Sequence, residues 1–249
     1  MPEFASYPSL KGRTVFVSGG GSGIGASIVE HFAAQGSKVG FVDIDEPASK
    51  ALARKTGAHF IKCDIRDVKA YQNAIADVAA RHGPITALVN NAARDDRHEL
   101  EDVTPEFFDE RIAVNLRHAF FAIQAVAPGM KKAGGGSIVN FSSVSYHTMT
   151  ANLSVYQAAK AAVIGMTRGL ARDLGADKIR LNSITPGWIM TQRQIDLWLT
   201  PEAEADLMKA QVLKEKVYPP DIARMALFLA SDDSRLISAQ NFVVDGGRM

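Results

Sequence analysis

Short runs of Val, Ile and Phe alternate along this chain with longer stretches whose apolar residues recur at helical spacing. Thr14–Val17, Val39–Val42, His59–Lys62, Ile85–Val89, Ser137–Phe141, Ile179–Ile184 and Asn241–Val244 read as seven strands. Helical patterns cover Ile24–Gln35, Val68–Arg81, Pro105–Lys132 (one or two helices), Ser154–Leu174 and Asp221–Ala230. Gly36, Gly83-Pro84, Gly134–Gly136 and Gly175 end them, as residues that cannot easily continue a helix. The strands are apolar on both sides rather than alternating, which suits a parallel sheet covered by helices on both faces. Regular β–α alternation then predicts an α/β fold with a doubly wound, seven-stranded parallel sheet and right-handed crossovers. No linker or repeat divides the sequence, so residues 1–249 are expected to form a single domain. One stretch breaks the alternation. Residues 188–218, Trp188 to Tyr218, follow strand six, where an insertion at the carboxyl edge would form a helical substrate lid.

Composition narrows the function classes. The net charge of +1 and the interspersed signs give no basis for a nucleic-acid or anionic-membrane partner. A single cysteine, Cys63, excludes an internal disulfide framework and a cysteine-rich metal site; it reads as a small buried hydrophobe, and no metal is expected. The opening MPEFASYPSL lacks the basic-then-apolar pattern of a secretory signal. The longest uncharged apolar stretch, near Ala119–Met130, is too short to span a bilayer and contains Pro128. A cytoplasmic location is therefore expected.

Candidate chemistry begins after strand one, with Ser18-Gly-Gly-Gly-Ser-Gly-Ile-Gly25. Between a strand and a helix, Gly19, Gly23 and Gly25 allow a tight turn and close approach of a pyrophosphate. Ser22, Ile24 and the helix N-terminus would then face the phosphate charge. This is the Rossmann arrangement, although the spacing is G-x-x-x-G-x-G rather than G-x-G-x-x-G. Asp43, with Ile44, ends strand two, roughly 20 residues on, where a carboxylate can accept from both ribose hydroxyls and repel a 2′-phosphate. Neither Ser22 nor Ile44 supplies a compensating cation, so NAD is the expected cofactor. Asp64 and Ile65 follow strand three; Asp64 can touch adenine or be a solvated strand end. Asn90-Asn-Ala-Ala93 follows strand four, and Asn91 and Ala92 suit close packing on the adenosine ribose or a plain turn.

Tyr156 and Lys160 lie four residues apart on one helix and share a face. A free phenol has a pKa of about 10 and is a poor base at neutral pH. A nearby ammonium is expected to lower it. Ser143, after strand five, can hold the substrate oxygen while the proton moves.

With these residues in place, the chain resembles the short-chain dehydrogenase/reductase family over essentially its whole length. The resemblance rests on the Ser18–Gly25 loop, Asn90-Asn-Ala, Asn115, Ser143, Tyr156-Gln-Ala-Ala-Lys160 and Pro186-Gly187. It implies that Tyr156 is the acid/base, that Lys160 also binds the nicotinamide ribose, and that Asn115 helps hold a water in a proton relay. Pro186, Gly187, Ile189 and Thr191 would border the cofactor and shape the substrate site. A homotetramer is implied as well. Ser18 stands where the family has Thr, and Ala93 where it has Gly.

A narrower resemblance, to bacterial D-xylose 1-dehydrogenases of that family, is carried by Tyr7–Gly12, Asp95-Asp-Arg-His98, Asp109-Glu-Arg111, Val114–His118, Gln124–Lys132, Arg193-Gln194 and Thr200–Glu202. Arg94 and Val144–Asn152 depart from it. It implies NAD-dependent oxidation of a small aldose at C1 to the aldonolactone, with D-xylose first and L-arabinose next. The expected substrate residues are Arg94, Ser143, Ser145, His147, Trp188 and Arg193. Arg94 also leaves open a ketodeoxy sugar acid, whose carboxylate it could pair. Gln192, Arg193, Gln194 and Asp196 make the lid polar, against a steroid or acyl substrate. An NAD-binding sensor without turnover is the alternative from another class, and the intact Ser-Tyr-Lys set argues against it. Among the remaining residues, His31, His59, His82 and His118 read as surface or capping groups. His98, Trp198 and Tyr146 can line the pocket, and Lys209–Lys216 reads as a solvated amphipathic helix.

Overall fold

A computed structural model describes residues 4–249. Seven strands form one sheet: β1 (Thr14–Ser18), β2 (Lys38–Asp43), β3 (His59–Lys62), β4 (Ala87–Asn90), β5 (Gly136–Phe141), β6 (Ile179–Pro186) and β7 (Asn241–Val244). Their order is β3-β2-β1-β4-β5-β6-β7, and every pairing is parallel. The helices are α1 (Gly23–Ala34), α2 (Glu46–Thr56), α3 (Val68–His82), α4 (Pro105–Ile112), α5 (His118–Lys132), α6 (Ser154–Leu174), α7 (Gln192–Trp198), α8 (Pro201–Ala210) and α9 (Pro219–Ala230).

Alternation within each strand divides the core between the two faces of the sheet. In β1, Val15 and Val17 pack with Ile28 and Phe32 of α1 and Ile222 and Leu229 of α9. Phe16 points the other way, onto Tyr71 and Ile75 of α3 and Ile123 of α5. Such side chains are fully or almost fully buried, and each stabilises the fold by about 1.5–3 kcal/mol. The edge strands, β3 and β7, are the most open to solvent.

The expected strands and principal helices recur with ends shifted by a residue or two, and α2 is added to them; Lys209–Lys216, expected as a helix, is not one, because α8 ends at Ala210 and the chain beyond it is irregular. Helix α2 is polar overall and its apolar side is narrow, with Leu52 and Ser49 buried and Ala53 partly so. Its caps carried the signal instead: Asp45 accepts from the Ala48 N–H, and Gly57 closes the helix in the left-handed region. The Pro105–Lys132 pattern resolves into α4 and α5 joined by a π-helical turn, Ala113–Arg117. The expected lid is α7 and α8. Its base is tied by an isolated bridge between Ile189 and Val217, with the Met190 N–H donating to the Val217 carbonyl at 2.9 Å. Among the described residues, no helix is long and apolar enough to cross a membrane.

Candidate active site

The strand order reverses direction between β1 and β4, so the loops leaving their carboxyl ends diverge and open a crevice there. That crevice is a cavity of about 930 Å³ running from Asp43 to the lid. Every expected cofactor residue lines it: Gly19, Ser22, Gly23, Ile24, Gly25, Asp43, Ile44, Asp64, Ile65, Asn91, Ala92, Tyr156, Lys160, Pro186, Gly187, Ile189 and Thr191.

The glycine loop is shaped for a close ligand. Gly19 has φ +65°, and a Cβ there would lie 2.8 Å from the Cα of Ala92. A Cβ on Gly25 would lie 1.8 Å from the Gly19 carbonyl oxygen, so only glycine lets α1 start against the loop. Asn91 Nδ2 donates to the Ser18 and Gly19 carbonyls at 3.2 and 2.9 Å, and the Ala92 N–H donates to Ser18 Oγ at 3.2 Å. Ser18 thus uses the hydroxyl it shares with Thr. Ser22, at the start of α1, makes no side-chain cap, leaving the helix's first N–H groups toward the cavity. This cradle, open to a pyrophosphate and too tight for side chains, fits a dinucleotide.

Asp43 does more than end β2. Its Oδ2 accepts from the Gly21 N–H at 2.8 Å and its Oδ1 from the Asp45 N–H at 2.9 Å, so the carboxylate also shapes the loop beside it. Asp64 differs from expectation. Arg66 folds back onto it, with Nε 3.0 Å from both oxygens, and hydrogen bonding from Arg66 holds the Asp64 carboxyl low against the opposing effect of burial. The group at that wall is therefore an ion pair, which Arg66 extends to Glu110 at 2.7 Å.

At the other end of the cavity, β5 delivers Ser143 and α6 delivers Tyr156 and Lys160. Ser143 Oγ accepts from the Ser145 N–H at 3.2 Å, which orients the hydroxyl. Gln157 braces the same loop by donating to the Ser145 and Thr150 carbonyls at 3.0 and 2.6 Å. Ser145 is 8% exposed and its hydroxyl has no protein partner. Lys160 is 2% exposed; its Nζ donates to the Phe141 carbonyl at 2.9 Å and lies 5.6 Å from the centre of the Tyr156 ring. Burial pushes its pKa down to about 8, with the Asp95 carboxylate acting in the opposite sense.

The phenol corrects an expectation. The Tyr156 pKa is raised: burial dominates, the Asp95 charge adds to it, and Ser143 hydrogen bonding and the Arg97 charge oppose it. The Lys160 ammonium, 5.6 Å from the ring centre and donating to a backbone carbonyl, does not offset that burial. His118, expected as a surface or capping group, is instead 2% exposed. It packs against Tyr71 with ring centres 6.2 Å apart, and burial, helped by the Lys160 charge, pushes its pKa down to about 3.

Four other expected residues, Asn115, His147, Tyr146 and His98, lie outside the cavity lining. Asn115 lies in the π-helical turn, 1% exposed and outside the cavity lining. Its Oδ1 accepts from the Arg94 N–H at 2.9 Å, and its Nδ2 donates to the Arg94 and Arg111 carbonyls at 3.1 and 3.0 Å. The side chain braces the loop after β4 through backbone partners on both its polar atoms. His147 is exposed, stacks on Tyr146 at 3.9 Å and does not line the cavity; neither does Tyr146. His98 likewise turns away, toward Ser154 and Phe107. Arg94 and Arg193 do line the cavity, but Asp96 pairs with them at 2.9 and 3.1 Å and with Arg111 as well. Trp188 and Trp198 both line it. Trp188 Nε1 donates to Gln194 Oε1 at 2.9 Å, and Gln194 Nε2 donates to Asp95 Oδ2 at 2.8 Å, joining lid to loop. Asp95, Arg97 and Gln157 carried no spacing signal as site residues, because only tertiary contacts bring them here.

Relatives share this organisation along nearly the whole chain. A family model described as enoyl-(acyl carrier protein) reductase, within the short-chain alcohol dehydrogenase group, matches residues 19–248. A Rhizobium meliloti protein described as a probable galactose dehydrogenase is 49% identical over 98% of this chain and 97% of its own. The D-xylose 1-dehydrogenase of Caulobacter vibrioides is 47% identical over 98% of each chain. Among solved structures, a blue fluorescent protein from a metagenomic library, in complex with NADPH, superposes with a TM-score of 0.89 at 34% identity, covering 96% of this chain and 99% of that one. Agreement of this extent makes the chain a member of the short-chain dehydrogenase/reductase family of oxidoreductases.

Proposed function

We propose that this protein is an NAD-dependent sugar dehydrogenase that oxidises a small aldose at C1 to its aldonolactone. The carrying observation is that Ser143, Tyr156 and Lys160 open onto the same cavity as the glycine cradle and Asp43. Asp43, flanked by Ser22 and Ile44, which are exposed and uncharged, supports NAD over NADP, because a 2′-phosphate would meet a carboxylate; Lys62, its partner on β3, is paired with Glu46. The relatives described as D-xylose and galactose dehydrogenases support a sugar. D-Xylose is the first choice and D-galactose the second, the latter favoured by the 49% identical relative. The polar lid argues against an acyl substrate.

In this reading the C1 hydroxyl bonds to Ser143 and Tyr156. A bound oxidised nicotinamide supplies the hydride acceptor and a positive charge. Tyr156, as phenolate, takes the hydroxyl proton while C1 loses its hydride, and the C–O bond becomes the lactone carbonyl. Lys160 would hold the nicotinamide ribose and, as an ammonium, would favour the phenolate once a ligand excludes water. Asn115 positions the loop that faces the substrate. The protein's contribution is orientation and proton transfer.

The assay is a panel of D-xylose, D-galactose, L-arabinose and ketodeoxy sugar acids, each with NAD⁺ and NADP⁺, followed by absorbance of reduced cofactor. Oxidation of neutral aldoses with NAD⁺ is expected; turnover confined to the acids, or equal use of both cofactors, refutes the corresponding part. The apolar groove formed by Ile112, Leu116, Phe120, Phe121, Ala162 and Met166, with Phe120 42% exposed, supports a homo-oligomer. A homotetramer is expected, and a monomer by light scattering refutes it. A cytoplasmic location completes the proposal.

A further inference from the structure

Two neighbouring carboxylates stand at the rim of the cavity, and their surroundings differ. Asp96 faces three guanidinium groups, those of Arg94, Arg111 and Arg193. It engages the cations that a carboxylated substrate would otherwise meet. Asp95 is much less satisfied. Its Oδ2 accepts from Gln194 Nε2 at 2.8 Å, and its Oδ1 has only a 3.4 Å contact with Arg193. A carboxylate offers about four acceptor positions, so capacity remains on the side that lines the cavity with Ser143, Tyr156 and Trp188.

The Asp95 field reaches the reacting groups, since it acts on both Tyr156 and Lys160 in the sense of a nearby negative charge. The opposing cation, Arg97, also lines the cavity but is held by its neighbours. Its guanidinium stacks over Trp198 at 4.8 Å and donates to the Ala151 carbonyl at 3.3 Å, and its effect on Tyr156 is smaller than that of Asp95. Gln194 also ties Trp188 and Asp95 into one chain of hydrogen bonds, so the lid's aromatic ring and the carboxylate are oriented together.

We propose that Asp95 is a specificity-determining residue of this site, accepting hydrogen bonds from hydroxyls of a neutral sugar and repelling substrates that carry a carboxylate. The inference rests on the sugar-dehydrogenase reading and deepens it. A carboxylate can only accept, and sugar hydroxyls can donate, so the pair is complementary. A substrate carboxylate would face Asp95 in a partly desolvated cleft, where like charges repel far more than in water. Arg94 and Arg193, already paired, offer it little in return.

D-Galactose and D-galacturonate test this directly, since they share the stereochemistry of C1 to C5 and differ at C6. The full-length enzyme and its Asp95→Asn, Asp95→Glu and Gln194→Ala variants are assayed with NAD⁺ on both, and on D-xylose. The wild type should prefer the neutral sugars. Asp95→Asn should lose roughly 10- to 100-fold in kcat/KM on them, the range of a hydrogen bond to a charged group. Its preference for galactose over galacturonate should fall by about tenfold or more. Asp95→Glu should restore the preference, and Gln194→Ala should raise KM yet keep it, because the charge remains. If the wild type oxidises neutral sugars and Asp95→Asn leaves the ratio unchanged, the assignment of Asp95 fails while the sugar reading stands. If the wild type prefers galacturonate, or oxidises no neutral sugar, both fail.

Discussion

Lys160 is where function and stability oppose one another most measurably. Its ammonium is buried beneath Tyr156 with one backbone carbonyl as partner, and burial lowers its pKa from 10.5 to about 8. At about 1.4 kcal/mol per pH unit, that gap corresponds to roughly 3 kcal/mol of penalty on the charged folded form. The sign follows from linkage. Between pH 8 and 10.5 the unfolded chain still holds the proton while the folded chain has released it, so stability rises with pH across that window. Below pH 8 both states are protonated and the penalty is present in full. Replacing Lys160 with Met removes the charge while keeping an unbranched side chain. The stability difference, wild type minus Lys160→Met, should then rise by up to about 3 kcal/mol between pH 7.5 and 10.5. The lost bond to the Phe141 carbonyl shifts the whole curve without changing its slope. His118 is neutral throughout, and the Cys63 thiol and Tyr156 phenol, both raised by burial, lower the stability of both proteins as pH rises past their unfolded values, a common contribution that the difference removes. Urea unfolding of both proteins at half-unit pH steps measures the difference. A difference that stays flat over the window would refute the buried-ammonium account.

Tyr156→Phe should lower turnover by about 10²–10⁴-fold while NAD⁺ binding, read by quenching of intrinsic fluorescence, persists, because only the phenol carries the proton. Asp43→Asn, which retains a side-chain oxygen to accept from the Gly21 N–H, should raise the NADP⁺-to-NAD⁺ ratio of kcat/KM by tenfold or more through loss of charge repulsion; an unchanged ratio would place the adenosine ribose elsewhere. Gly25→Ala should abolish detectable cofactor binding in calorimetry, since its Cβ would lie 1.8 Å from the Gly19 carbonyl oxygen and force the cradle apart. Asp95→Asn should move the alkaline rise of kcat/KM on a neutral sugar to lower pH. Asp95 raises the Tyr156 pKa, while Ser143 and Arg97, which face the same phenol, lower it and are untouched.

The strands, the loop from Ser18 to Gly25, Asp43 and the Tyr156–Lys160 pair were legible in the sequence because each depends on local rules. A strand buried on both faces must be apolar throughout, a tight turn needs glycine, and two side chains four apart on a helix must share a face. Helix α2 escaped a reading based on apolar residues because it is polar overall and buries only Ser49 and Leu52; its local traces were the Asp45 and Gly57 caps, Pro47 and Glu46 in the first turn and Arg54 and Lys55 in the last. What lay beyond the sequence is electrostatic and non-local. Arg94 and Arg193 read as free cations near a substrate until the fold brought Asp96 between them across 97 positions of chain from Arg193. Lys160 read as the group that lowers the Tyr156 pKa, but burial, which depends on every neighbouring element, raises that pKa and directs the ammonium to Phe141. Residue order determines which groups can meet along one helix or turn. Their charge, solvation and partners are decided only when distant segments pack, because Coulomb and desolvation energies depend on distance and burial in space and not on separation along the chain.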